Sequence, residues 1–217
     1  DEMRSLPMPD YSEYYFDTYQ KKVLPLTGSR GCVRKCTFCD YIANWKVFNW
    51  RTADDIYNEM QVQYQTYGIR YFKFQDSLTN GNMKEFVRLT EMLSAYNTAN
   101  PDKSFRWSGY YIFREHNSKT EYEWEMVAES GADNLVVGIE NLNQHIRYAI
   151  GKKFSNEAID VHLAFAQKHN IRLQLLNIVG YVNETEDDIN FIKQWLRDHT
   201  VYQDILHLQF GGTLGIF

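Results

Sequence analysis

A chain of 217 residues, 44% hydrophobic and 16% aromatic, can fill the core of one large domain, which excludes a disordered or low-complexity protein. With 23 basic against 28 acidic residues the net charge is −5 and the sequence pI about 5.7, not the basic footprint of a dedicated nucleic-acid binder. No apolar run is long enough to predict a membrane span, and an odd, clustered set of 3 cysteines does not suit a secreted disulfide framework, so a reducing cytoplasm is expected.

Strand-like runs and helical patterns alternate along the chain. After a polar, aromatic N-terminal stretch, residues 22–29 (KVLPLTGS) read as a first strand. Residues 31–41 (GCVRKCTFCDY) then form a loop holding all three cysteines. A helix is predicted over 51–68, with Thr52 and Asp55 as a capping box and Gly68 as its stop. Residues 69–77 (IRYFKFQDS) are a second strand, followed by a helix over 83–96, which Asn82 can cap. Residues 104–113 (SFRWSGYYIF) are the third strand. The next helix, 119–131, repeats the capping pattern with Thr120, Glu123 and Gly131. A fourth strand, 134–141 (NLVVGIEN), precedes a helix over 155–170, and a fifth, 171–181 (IRLQLLNIVGY), precedes one over 184–196. In that last helix Thr185 and Asp188 mark the start, while Ile189, Ile192 and Leu196 keep one apolar stripe. Residues 204–210 (DILHLQF) are the sixth strand.

This order predicts consecutive βα units and a parallel sheet. At roughly 36 residues per unit, an α/β fold with a partial (βα)6 TIM-like barrel suits the spacing better than a doubly wound sheet. Such a barrel keeps its chemistry in the loops at the C-terminal strand ends, where the cysteine loop falls. The chain starts at Asp1 rather than Met and stops just after the last strand, so it reads as excised from a longer protein. Residues 1–22 are taken as a linker-like segment and 23–217 as the core barrel.

Cys32, Cys36 and Cys39 are spaced C-x3-C-x2-C, with Phe38 before the last. Closed structural zinc sites use four ligands, and the nearest histidine in sequence is His116. Electron-transfer iron–sulfur clusters also normally take four cysteines. Three thiolates on a cubane leave one iron open to bind something else. Two readings follow: an enzyme that uses the open iron, or a non-enzymatic module with a three-cysteine zinc or iron–sulfur site.

The cysteine spacing and Phe38 resemble the radical SAM superfamily, and the likeness extends from Leu24 to Thr213. It is nearest to the group whose members carry a cobalamin-binding domain upstream, and residues 5–15 (SLPMPDYSEYY) are similar to the linker after such a domain. The resemblance implies a site-differentiated 4Fe-4S cluster on Cys32, Cys36 and Cys39. It also implies reductive cleavage of S-adenosylmethionine to a 5′-deoxyadenosyl radical that acts on a substrate the sequence does not identify; methyl transfer and oxidoreduction are both open. Cobalamin is implied only if a domain outside this span exists, and a reducing partner such as flavodoxin or ferredoxin is implied as well.

The resemblance also assigns positions. Gln75, Asp76 and Ser77 stand where the family offers backbone carbonyls to the amino group of S-adenosylmethionine, often from Gly-Gly-Glu. Arg114 matches an arginine that could pair with the methionyl carboxylate, and Glu140 a glutamate that accepts ribose hydroxyls. Ile178 and Gly180 would lie against adenine. The family's Gly-x-Pro-Gly-Glu-Thr appears as Gly180-Tyr181-Val182-Asn183-Glu184-Thr185, and asparagine tolerates positive φ better than most residues, so the turn that the second glycine makes can persist.

Two further expectations concern charge and substrate. Arg30, Arg34, Lys35, Lys46 and Arg51 would favour a reduced, more negative cluster, or dock an acidic reductant. Tyr110, Tyr111, Asn177, His207 and Gln209 would line the barrel mouth. No fourth cysteine exists, so this span cannot carry an auxiliary cluster or the second catalytic cysteine that methylthiotransferases and cysteine-methylating RNA methyltransferases use.

Overall fold

The structure, a computed structural model, describes Met3 and residues 6–211, except for the side chain of Ile42. The start at Asp1 and the end of the family likeness at Thr213 lie outside the described residues.

The chain forms the expected parallel sheet. The elements in order are β1 (Leu24–Leu26), β2 (Ser29–Arg30), α1 (Tyr41–Asn44), β3 (Asn49–Trp50), α2 (Ala53–Tyr67), β4 (Tyr71–Phe74), α3 (Met83–Ala99), β5 (Arg106–Tyr111), α4 (Thr120–Glu129), β6 (Ala132–Glu140), α5 (Gln144–Ile150), α6 (Asn156–Lys168), β7 (Arg172–Ile178), α7 (Glu186–Asp198) and β8 (Leu206–Gly211). Six strands pair in the order β1-β4-β5-β6-β7-β8, every pair parallel. Among the described residues β1 and β8 do not pair, so the sheet is a partial barrel, as the spacing predicted. β2 and β3 form a small antiparallel pair apart from it, joining Ser29 to Trp50 and Arg30 to Asn49.

Period-2 burial gives each strand two faces. In β6, Leu135, Val137 and Ile139 are buried toward the helices, as are Leu173 and Leu175 of β7, which leaves the intervening residues on the inner face. The helices cover the outer face through Met60, Phe86, Leu89, Leu93, Trp124, Val127 and Leu163, all buried in one core with Phe72, Phe74 and Trp107. Aromatic rings pack edge-on or offset through this core, as where Tyr96 stacks on Phe105 at 4.6 Å.

Three helix starts match their sequence signals. Thr52 Oγ1 accepts from the Asp55 N–H and Asn82 Oδ1 from the Glu85 N–H, and Gly68 ends α2 at φ 69. Thr185 and Asp188 make the full reciprocal capping box of α7. α4 departs from the expectation: its cap residue is Lys119, without a side-chain cap bond, because Thr120 Oγ1 instead accepts from the Asn117 N–H in the preceding turn. The sequence reading also missed α1, α5 and the β2–β3 pair.

The N-terminal stretch is fastened to α2. The Tyr11 N–H donates to Tyr67 Oη at 2.8 Å, Gln63 Nε2 to the Pro9 carbonyl at 2.8 Å, and Tyr67 Oη to Asp10 Oδ1 at 2.9 Å. No helix among the described residues is long and apolar enough to cross a membrane.

Candidate cofactor site

At the C-terminal ends of the strands lies a cavity of about 380 Å³. All three cysteines line it, with Phe38, Gln75, Asp76, Ser77 and Glu140 from the expected set. Tyr110 and Tyr111 of the expected mouth residues join them, and so do Arg34 and Lys152, the latter with no sequence signal.

The cysteine loop is built by its neighbours. Gly31 opens it at φ 89, where an added Cβ would lie 2.5 Å from the Val47 carbonyl oxygen, so the residue must be glycine. The loop after β4 grips the loop's entry. Asp76 accepts from the Gly28 N–H at 2.8 Å and from Ser29 Oγ at 2.7 Å, while Ser77 Oγ donates to the Gly31 carbonyl. Gln75 continues the pairing with β1 through its N–H to the Leu26 carbonyl, at 2.8 Å. On the far side the Thr37 N–H donates to the Ile150 carbonyl at 3.0 Å, and Thr37 Oγ1 meets Tyr181 Oη at 2.8 Å. Cys36 is buried with Ile146 and Ile150 of α5 in a small apolar cluster that Phe38, Cys39 and Tyr181 cover.

The three cysteines are free thiols. Burial pushes the Cys36 thiol above its ordinary value, with the Lys152 ammonium opposing. The Arg34 N–H lies 3.4 Å from Cys32 Sγ as a backbone donor to sulfur. Three thiols along the wall of a roomy cavity, a backbone donor to one sulfur and two cations in the lining fit a bulky, negatively charged metal–sulfur group. Among the described residues, no group of three or more His, Cys, Asp or Glu side chains is placed to hold a single metal ion.

The expected source of positive charge needs correction. Arg51 is spent on the buried Glu59 carboxylate and on the Thr27 carbonyl, and Arg30 lies 5.6 Å over the Trp45 ring. Lys35 and Lys46 are exposed. Of the five basic residues named from the sequence, only Arg34 lines the cavity.

Glu140 ends β6 at a register shift and adopts φ 66, a backbone state costly for a residue with a side chain. Its Oε1 lies 3.1 Å from Lys152 Nζ, and that ammonium also donates to the Gly138 carbonyl at 2.8 Å. Asn141, fully buried, donates to the Ile178 carbonyl at 3.1 Å and to Glu184 Oε1 at 2.7 Å. Glu184 Oε2 accepts from the Gly180 N–H at 2.5 Å. One carboxylate therefore ties the end of β7 to the end of β6. Asn183 sits at φ 67, the turn expected of it, and Gly180 at φ 87.

Arg114, Ile178 and Gly180 stand outside the cavity lining. Arg114 borders a neighbouring cavity of about 110 Å³, donates to the Asn80 carbonyl, and leaves its buried Nε without a partner. Asn177, His207 and Gln209 are also outside. Asn177 is buried, on the helix-facing alternation of β7 shared with Leu173 and Leu175, whereas His207 and Gln209 are exposed on the outer strand.

Known proteins agree with this architecture. None of the curated proteins compared matches the chain. Among solved structures, the radical S-adenosylmethionine methyltransferase TsrM from Kitasatospora setae, with cobalamin and a 4Fe-4S cluster bound, superposes with a TM-score of 0.74. Identity is 16%, over 90% of this chain and 37% of that one. The cobalamin-dependent radical enzyme OxsB aligns at 0.64 with 18% identity, over 80% of this chain and 26% of its own. Methylornithine synthase, PylB, aligns at 0.56 with 13% identity, over 88% and 53%. The chain thus spans about a third of the length of the TsrM structure. Residues 26–196 match the model of the radical SAM superfamily, with the three cysteines inside the matched span at the mouth of a partial parallel barrel, and the chain belongs to that superfamily.

Proposed function

We propose that this chain is the catalytic core of a radical SAM enzyme, in which Cys32, Cys36 and Cys39 hold a 4Fe-4S cluster with one iron left open for S-adenosylmethionine. The observation that carries the reading is the convergence of the three thiols with Phe38, the loop after β4 and Glu140 on one cavity. When bound, the cluster would supply the electron that cleaves the sulfonium. The chain's own residues do the rest. The three thiols would fix the cluster, and Phe38 would shield it from water. The backbone of Gln75, Asp76 and Ser77 would face the methionyl amino group, while the side chains of Asp76 and Ser77 keep the cysteine loop in place. Glu140 would accept the ribose hydroxyls. Ile178 and Gly180 would flank the adenine, and Arg114 would meet the carboxylate if its guanidinium turned from the neighbouring cavity.

Residues 1–22 read as a linker-like segment and 23–217 as the core. Methyl transfer and oxidoreduction remain the two reaction classes, with a small flavin or iron–sulfur protein such as flavodoxin or ferredoxin as the electron donor in the cytoplasm. Cobalamin, present in the TsrM and OxsB structures, would need a domain beyond this span.

The test is anaerobic reconstitution. The protein should take up about four irons and four sulfides, and adding S-adenosylmethionine should change the EPR spectrum of the reduced cluster. Stoichiometric zinc with no capacity for iron would sink the enzyme reading and leave the metal-binding module.

A further inference from the structure

Lys152 follows α5 in the sequence "GKKF" and looks like one of two adjacent surface lysines. The pair divides. Lys153 is exposed, its ammonium 5.3 Å from the Tyr148 ring, whereas Lys152 is only 8% exposed.

The route by which Lys152 reaches the cavity is specified by the chain. α5 ends at Gly151 with φ 102, and the Lys152 N–H returns to the Arg147 carbonyl at 3.0 Å. A Cβ on Gly151 would lie 3.2 Å from the Lys35 carbonyl oxygen and 3.6 Å from Cys36 Cα. The reversal is therefore seated on the backbone of the cysteine loop, and the next side chain enters the cavity. There its ammonium meets Glu140 Oε1 and the Gly138 carbonyl. Gly138 leaves the room: a Cβ there would lie 2.3 Å from Glu140 Oε1 and 3.1 Å from Lys152 Nζ. Glu140 Oε2 has no partner among the described residues and is the atom left to accept.

A buried ion pair is a poor source of stability, because desolvating both charges offsets most of their attraction. The positive φ of Glu140 is a further cost to the fold. Such costs concentrated on the wall of a cofactor cavity suit orientation of a charge better than support of a core.

We propose that Lys152 is a positioning residue, holding the Glu140 carboxylate beside the three cysteines so that Glu140 Oε2 accepts the ribose hydroxyls of S-adenosylmethionine. The proposal rests on the cofactor reading above.

The experiment is a double-mutant cycle on the full chain, reconstituted anaerobically, with S-adenosylmethionine as the probe. Iron content and dissociation constant are measured for wild type, Lys152→Met, Glu140→Ala, the double variant and Lys152→Arg. Lys152→Met should keep wild-type iron and bind the probe about tenfold more weakly. The double variant should bind no worse than Glu140→Ala, because the lysine acts through that carboxylate. Lys152→Arg should recover most of the affinity. Wild-type affinity in Lys152→Met overturns the proposal while leaving the cofactor reading intact, and so do additive losses in the double variant. Loss of iron from a folded Lys152→Met also overturns it, by assigning the lysine to the cluster loop. Should Lys152→Met not fold, Lys152→Gln takes its place with the same outcomes. A wild type that takes up no iron overturns the cofactor reading and this proposal with it.

Discussion

Gly138 shows how much of the site hangs on one missing methyl group. It is the inward residue of β6 two positions before Glu140, and the Glu140–Lys152 pair occupies the space over its Cα. The atoms that an added Cβ would strike are the ends of two long side chains, so the chain can still fold, but the pair cannot stay where it is. Gly138→Ala should cost no more than about 1 to 3 kcal/mol in stability, the usual range for local overpacking. Binding of S-adenosylmethionine should fall by roughly tenfold or more, as a lost charge-assisted hydrogen bond would dictate. Denaturant unfolding read beside ligand binding separates the two effects. A variant with wild-type binding would mean that the pair can shift without consequence, and that Glu140 is not a ligand.

Helix starts at the element scale distinguish a residue type from the geometry it needs. Thr120 and Thr185 carry the same sequence signal, yet only Thr185 caps its helix, through Oγ1 to the Asp188 N–H at 3.3 Å with the Asp188 carboxylate returning to the Thr185 N–H at 2.9 Å. Thr185→Ala should therefore destabilise the fold by about 1 kcal/mol in urea unfolding. An unchanged midpoint would show that α7 is held by Ile192 and Trp195 alone. The longer elements were legible because their signals are redundant. α7 has a cap, a stripe and a following strand, and β4, β5 and β6 carry β-branched or aromatic runs. α5 was not legible, since seven residues hold only the Ile146 and Ile150 repeat, too short for periodicity to stand out. With α5 unseen, Lys152 had no route into the site. The cysteines, Phe38, Glu140 and the loop after β4 line one cavity because barrel topology fixes where strand ends gather. Arg114 lies at a strand end too, yet topology does not set side-chain direction, and its guanidinium turns to Asn80 instead.

For the whole molecule, two buried titratable groups on different elements act on stability in opposite directions. Asp76, in the loop after β4, holds the residues that follow β1, and burial, opposed by its bonds to Ser29 and Gly28 and by the Arg51 charge, raises its carboxyl from 3.8 to about 6. Between those values the folded chain holds a proton that the unfolded chain has lost, so this contribution to stability is complete below 3.8 and disappears as pH rises through 6. His162 of α6 stacks on Phe113 at 4.4 Å and accepts from Trp124 Nε1 at 2.9 Å through Nδ1. Burial, aided by His116 and Arg114 and opposed by the Arg114 carbonyl and Glu115, lowers it from 6.5 to about 4. Here the unfolded chain binds the extra proton, so stability falls as pH drops below 6.5 toward 4. Over the shared window the two slopes oppose and largely cancel. Asp76→Asn leaves an amide oxygen for the Gly28 N–H but removes the titration, so the His162 slope stands alone. The variant should lose about 1.4 kcal/mol more than wild type for each pH unit on acidification through that window. His162→Phe should tilt the profile the other way, becoming relatively more stable in acid. Urea unfolding of the cluster-free protein across the window measures both slopes against wild type. Parallel profiles for wild type and Asp76→Asn would mean that Asp76 keeps an ordinary carboxylate in the folded chain, and that its bonds to Gly28 and Ser29 outweigh its burial.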